Sequence, residues 1–275
     1  MSVVNLVTGG IFDALLYPFR GLPPWFGMVF VPLLTAFLML WAFKLTSDQD
    51  GIRKAKNAIK AHLLELRLYK DNMRVSLRAQ GRILRANASY IACNTKPLLV
   101  MIIPLLLILA QLNLWFGAAP LRPGETSLVK LKLAAGADPL ALDVSIQPTP
   151  GLAVETPAVR IADEREIAWR IRAPEKGPAG LTFSVAGRTF VKEVAVASGR
   201  LSKVSTLAVG PSLVRQFLYP GEKPLPGDIP VTSVEVLYPS GGLGLFGLSV
   251  NWLVAYFILS IIFGFAFKGL FKVEI

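Results

Sequence analysis

The chain has one cysteine, Cys93, and one histidine, His62. A single cysteine excludes an intrachain disulfide, so any exported part must be held by packing alone. Cys93 itself reads as a small buried helix residue. His62 has no cysteine or paired carboxylate at metal-ligand spacing, and neither a phosphate-cradling glycine loop nor a nucleophile elbow occurs. The acidic pair Asp163-Glu164 falls between strand-like runs, where a solvated turn is the simpler reading. The sequence therefore predicts no enzyme, no cofactor and no metal site. It also lacks the signs of a cleavable leader, because no Lys/Arg-rich start and no small-residue cleavage site flank the first apolar stretch.

What the chain has in quantity is long apolar sequence. Residues 53% apolar and a mean hydropathy of +0.53 are dominated by three stretches, Trp25–Leu45, Pro97–Phe116 and Phe246–Phe267. Each holds about 20 residues, which at about 1.5 Å of rise per residue spans a hydrocarbon core of about 30 Å. Expected transmembrane helices are therefore 24–45, 97–116 and 246–267.

The stretches enclose two unlike inserts. Residues 46–96 carry 11 basic against four acidic residues, or +7 of the net +11. Residues 117–245 carry 14 against 12 and are nearly neutral. Positive residues near spans stay on the cytoplasmic side, so residues 46–96 and the tail 268–275, with Lys268 and Lys272, are expected in the cytoplasm of a plasma (inner) membrane. The N-terminus and residues 117–245 are then expected outside. Trp25, Trp115, Phe116 and Trp252 would lie at the outer interface, and Trp41 and Phe271 at the inner one.

Residues 1–23 place Ile11, Phe12, Leu15, Leu16 and Phe19 around only two charges, Asp13 and Arg20. That suits an amphipathic helix lying in the outer headgroup layer, against the alternative of a frayed tail. In residues 46–96, Ile52, Ala55, Ile59, Leu63, Leu66 and Met73 recur at helical spacing, as do Leu77, Gly81, Leu84, Ala88 and Ile91. Two readings fit: a basic hairpin seamed by these residues with a turn at Lys70-Asp71-Asn72, or one unbroken helix. Arg74, Arg78, Arg82 and Arg85 share one helical face. Like charges so spaced repel by about 0.2–0.5 kcal/mol per pair, which points to an anionic partner such as ribosomal RNA, anionic lipid or an acidic protein; a merely solvated face is the alternative.

The large insert consists of short alternating runs: Ser127–Leu133, Leu142–Gln147, Glu166–Arg172, Leu181–Ala186, Thr189–Ala197, Lys203–Val209 and Val231–Tyr238. A hairpin turn is predicted at Ala186-Gly187-Arg188, and Trp169 is a core candidate. Strands at this spacing predict an immunoglobulin-like sandwich, able to dock a protein outside the cell. The expected fold is thus membrane α-helical, three transmembrane helices with a cytoplasmic helical hairpin, plus an all-β extracytoplasmic immunoglobulin-like sandwich.

Polar residues in and around the spans are the remaining signal: Lys44, Thr95, Lys96, Gln111, Asn113 and Asn251. Polar groups at membrane depth face protein or water, so these six are candidates to line a polar groove. The order of parts, together with Asn94-Thr95-Lys96-Pro97-Leu98-Leu99-Val100-Met101-Ile102-Ile103-Pro104-Leu105-Leu106 opening the second span, resembles the Oxa/YidC/Alb insertase superfamily. The likeness is to its minimal three-span archaeal and bacterial members and to the related subunit of the endoplasmic-reticulum membrane protein complex. It covers the three spans and the hairpin, about 130 residues. The resemblance implies an insertase or chaperone-like factor that receives nascent or targeted membrane-protein segments from the basic hairpin into a lipid-open groove, without nucleotide. It also implies a basic side chain in that groove, for which Lys44 is nearest. The competing expectation is a non-catalytic scaffold of a cell-envelope complex.

Overall fold

The computed structural model describes residues 3–174, 179–197, 200–245 and 248–273. In chain order these form α1 (Val3–Leu16), a 3-10 turn (Tyr17–Phe19), α2 (Pro24–Thr46), α3 (Gln49–Leu68), α4 (Met73–Leu112) and a π-helical turn (Asn113–Gly117). Strands β1 (Thr126–Leu133), β2 (Val144–Pro148), β3 (Ala153–Val154), β4 (Val159–Ile161), β5 (Glu166–Arg172), β6 (Ala179–Val185), β7 (Arg188–Val194) and β8 (Leu207–Val209) follow. Helix α5 (Leu213–Leu218), strands β9 (Val231–Val236), β10 (Leu243–Leu245) and β11 (Leu248–Val250), and helix α6 (Trp252–Phe271) complete the order. Among the described residues three helices, Pro24–Thr46, Met73–Gly117 with its π turn and Trp252–Phe271, are long and apolar enough to cross a membrane. A separate β region lies between the second and third.

The chain divides into two compact units, Met1–Met28 with Leu106–Ala255, and Val29–Leu105 with Tyr256–Ile275. In the first, an antiparallel sheet runs β3-β5-β1-β9-β8, with β4 also on β5, and a second runs β2-β6-β7. The alternation read in Glu166–Arg172 orders one face inward: Ile167, Trp169 and Ile171 are buried while Arg170 and Arg172 are exposed. Both sheets share one apolar core, in which Trp169 meets Phe183 edge-to-face at 5.8 Å. The turn between β6 and β7 is Ala186-Gly187, both at positive φ (48° and 79°), as a two-residue hairpin loop matched to strand twist requires. Strands β3, β4, β10 and β11 are additions to the sequence reading; each has only two or three residues, too few for alternation to register.

The tyrosine ending the long alternating run of β9 serves as a backbone acceptor. The Ala195 amide donates to the Tyr238 hydroxyl at 2.8 Å, and burial pushes the phenol above its ordinary value of 10.0. A folded-state pKa raised in this way contributes stability that is fully present below pH 10 and is lost as pH rises through the folded value. The urea midpoint of the full chain in mild detergent should therefore fall above pH 10, and Tyr238→Phe, which strands the Ala195 amide, should lower the midpoint at neutral pH and flatten that fall. A Tyr238→Phe profile that drops as steeply as the parent's above pH 10 would place the titrating group elsewhere.

In the same unit α1 packs by one face. Leu16 and Phe12 are buried, and a Cβ at Gly27 of α2 would meet Leu16 at 3.2 Å and Phe116 at 3.4 Å, so glycine permits this approach. Lys203 pairs with Asp13 at 3.0 Å, and Gln111 donates to the Thr8 hydroxyl at 3.1 Å. The 241-242 glycines pass beside the π turn, where a Cβ at Gly241 would lie 2.2 Å from the Phe116 carbonyl oxygen. The expected start of the third span, Phe246, lies outside the described residues. The helix starts at Trp252 because the Asn251 side chain accepts from the Leu253 amide at 2.9 Å, which caps it.

Candidate functional site

The second unit holds a helical hairpin joined to apolar helix. Asp48 caps α3 by accepting from the Gly51 amide at 2.9 Å. Helix α3 ends at Leu68, and Asn72 starts α4 by accepting from Val75 at 3.3 Å through its side chain and from Ser76 at 2.9 Å through its carbonyl. The chain therefore folds back at residues 69–72 and is not one unbroken helix. Arg82 of α4 reaches Glu65 of α3 at 3.1 Å, with His62 on the same carboxylate at 3.1 Å. Nearer the base, a Cβ at Gly51 would stand 3.0 Å from the Cys93 sulfur. Helix α4 then continues through Lys96-Pro97 without a break, whereas a boundary was expected there. Pro97 and Pro104 lack the amide that would close their own hydrogen bonds, and the rest of the ladder carries the helix on to Leu112.

The seam of this hairpin differs from the expected one. Ala79 and Ala86 are buried, whereas Leu77, Leu84 and Ile91 are 60%, 70% and 63% exposed. Small side chains at positions 79, 86 and 93 recur every seven residues and let the arms approach, which larger leucines would oppose. That second stripe was present in the sequence but carries less apolar bulk than the leucine stripe. Beside that stripe Arg82 pairs with Glu65 across the hairpin.

The consequence is an open apolar track. Leu77, Leu84, Ile91 and Leu98 succeed one another at seven-residue intervals on exposed positions of α4, each step advancing about 10 Å. Arg78 and Arg85 stand one position along from Leu77 and Leu84 and are exposed; Arg74 lies a turn before. Among the described residues Arg74, Arg78 and Arg85 make no ion pair, whereas Arg82 is held by Glu65. Three of the four predicted anion-binding arginines thus remain available, and the fourth ties the arms together.

The groove candidates fall in different settings. Lys44, Thr95 and Lys96 are exposed residues of the second unit, and the Thr95 hydroxyl donates to the Ile91 carbonyl of its own helix at 2.9 Å. Gln111 of the first unit is buried, with its Nε2 bonded to Thr8 and its Oε1 unpartnered. Asn113 lies in the π turn with its carboxamide against Gly117, and Asn251 is the α6 cap. Local backbone bonding thus occupies Thr95 and Asn251, a use that residue type alone does not reveal.

The β region offers a groove of its own. It measures about 670 Å³ and is lined by Lys132, Arg165, Arg215, Tyr219, Thr232 and Glu235, among others. No group of three or more histidine, cysteine, aspartate or glutamate side chains suited to a metal occurs among the described residues. Comparison of the chain with protein-family models, with curated proteins and with solved structures found no match.

Proposed function

We propose that the chain is a non-enzymatic insertase-like factor of the Oxa/YidC/Alb type, which helps hydrophobic segments of other proteins enter a plasma membrane. The observation that carries this reading is the exposed track Leu77–Leu84–Ile91–Leu98, which joins a basic hairpin to an apolar helix without a break. A nascent or targeted span can rest its apolar face on the leucines while Arg74, Arg78 and Arg85 meet acidic flanks, ribosomal RNA or anionic headgroups. Lys44, in the last turn of α2, and Lys96, midway along α4, then receive polar groups that otherwise cost several kcal/mol apiece to bring into hydrocarbon. On this reading the hairpin and C-terminus are cytoplasmic, and the N-terminus and an immunoglobulin-like sandwich lie outside.

Photocrosslinkers at Lys44 and Thr95, activated in cells during membrane-protein synthesis, test it. Short-lived adducts to newly made spans are expected. Adducts to one stable membrane protein alone would instead favour a scaffold of an envelope complex, a reading to which the groove at Lys132, Arg165 and Arg215 gives independent support as a docking place for an acidic partner.

A further inference from the structure

We infer that the cavities on the two sides of Arg215 form one cleft, which takes a short segment of another protein carrying acidic residues beside apolar ones. The groove of about 670 Å³ and a neighbouring cavity of about 480 Å³ share Arg215 and Thr232, so they adjoin. Each falls in the size range of ligand pockets. The floor of the first is the cross-strand row Lys132–Ser233–Val209 of β1, β9 and β8, about 10 Å across three strands. Lys132 enters from β1, with Arg165 bonded beside it through the Leu133 amide, and Arg215 enters from α5, the helix that follows β8.

The charge of the lining selects the partner. Three cations face one carboxylate, Glu235, and Glu235 lies opposite Lys130 in register. Glu166, the cross-strand neighbour of Lys132, is held by Lys130 at 3.0 Å. Among the described residues no ion pair engages Lys132, Arg165 or Arg215, so all three can receive carboxylates. Arg165 holds φ at 53°, a left-handed backbone that glycine would take without strain. The turn thus keeps a strained residue whose guanidinium lines the cleft. The second cavity is unlike the first: Pro211, Pro226, Ile229 and Val231 line it, and Arg215 is the one charged residue among its described walls. A phosphate or an acidic sugar would satisfy the cations and leave this apolar half empty. A peptide with acidic side chains followed by apolar ones fills both.

This inference rests on the docking place named above and gives its partner class; it holds whether or not the chain assists insertion, which crosslinks from Lys44 and Thr95 read separately. Its test is fluorescence anisotropy of the full chain in mild detergent with a labelled peptide that places two glutamates before leucine and valine. Expected is binding that weakens at least about tenfold in Arg215→Glu and about fivefold in Lys132→Gln, while Arg53→Glu on the exposed side of α3 stays within about twofold of the parent. Exchanging the peptide's glutamates for glutamine, or its leucine and valine for serine, leaves the protein untouched and should each weaken binding at least about fivefold. A loss as large in Arg53→Glu as in Arg215→Glu would mean that acidic chains are collected by net charge alone, and would overturn the inference. So would displacement by inorganic phosphate at the same concentration as unlabelled peptide, which would reduce the cleft to a simple anion site. Absence of binding up to about 1 mM peptide would overturn it as well.

Discussion

Glu222→Gln should lower the urea midpoint of the full-length protein more than any single surface change in the β region. Lys192 of β7 is completely buried; its ammonium is ion-paired with Glu222 and bonded to the Ser205 carbonyl at 2.7 Å and the Glu193 carbonyl at 3.3 Å. Two carbonyls cannot replace the charge that glutamine removes. Breaking a buried pair from one side costs about 3–5 kcal/mol. Burial already holds the Lys192 pKa below its ordinary 10.5, and Glu222 opposes that shift. Without Glu222 the folded lysine sheds its proton more readily than the unfolded one, so the unfolded state binds more protons and stability rises with pH up to 10.5. The Glu222→Gln deficit should therefore shrink between neutral pH and pH 10. The double variant Lys192→Met/Glu222→Met should recover most of the loss, since an apolar pair of similar volume carries no charge-desolvation penalty. A deficit below about 1 kcal/mol that is flat with pH would mean that water reaches the pair.

The second large effect concerns the exposed track. Leu84→Asp, alone or with Ile91→Asp, should reduce photocrosslinking from Thr95 to newly made spans by about tenfold or more, because a carboxylate set against an apolar segment costs at least 1–3 kcal/mol. Neither side chain packs against the protein, so the midpoint of thermal unfolding should stay within about 2 °C of the parent. Arg78→Glu/Arg85→Glu should weaken the same crosslinks and reduce their sensitivity to salt. Arg82→Glu is the contrasting variant: it breaks the bond to Glu65 and should loosen the hairpin itself. Undiminished crosslinks in Leu84→Asp would exclude the track as the route.

The apolar helices and the β region were legible because each carries a long, unambiguous pattern. The strand Glu166–Arg172 forms with the bounds read from its alternation. Boundaries were harder. The 96–97 break was inferred from where charge ends, but charge does not interrupt a hydrogen-bond ladder, and α4 runs on. The hairpin seam was assigned to leucines because bulk dominates periodicity, whereas close helix approach selects the alanines at 79 and 86. Among groove candidates, the residue types were informative about polarity and silent about whether a neighbouring amide or carbonyl already satisfies them, as at Thr95 and Asn251.

Strand β1 sits in the middle of its sheet, pairing with β5 on one side and β9 on the other, so that Val129 faces both Trp169 and Val236. The β9 partner is among the last parts of the β region to be synthesised, shortly before α6. Closing so long a loop makes the pairing slow relative to local hairpins such as β6–β7. Until then β1 presents an open, alternating edge able to pair with another chain. Maturation of the region is thus tied to delivery of its final segment, and a chain stalled before Val231 would remain open to aggregation however well its earlier strands had formed.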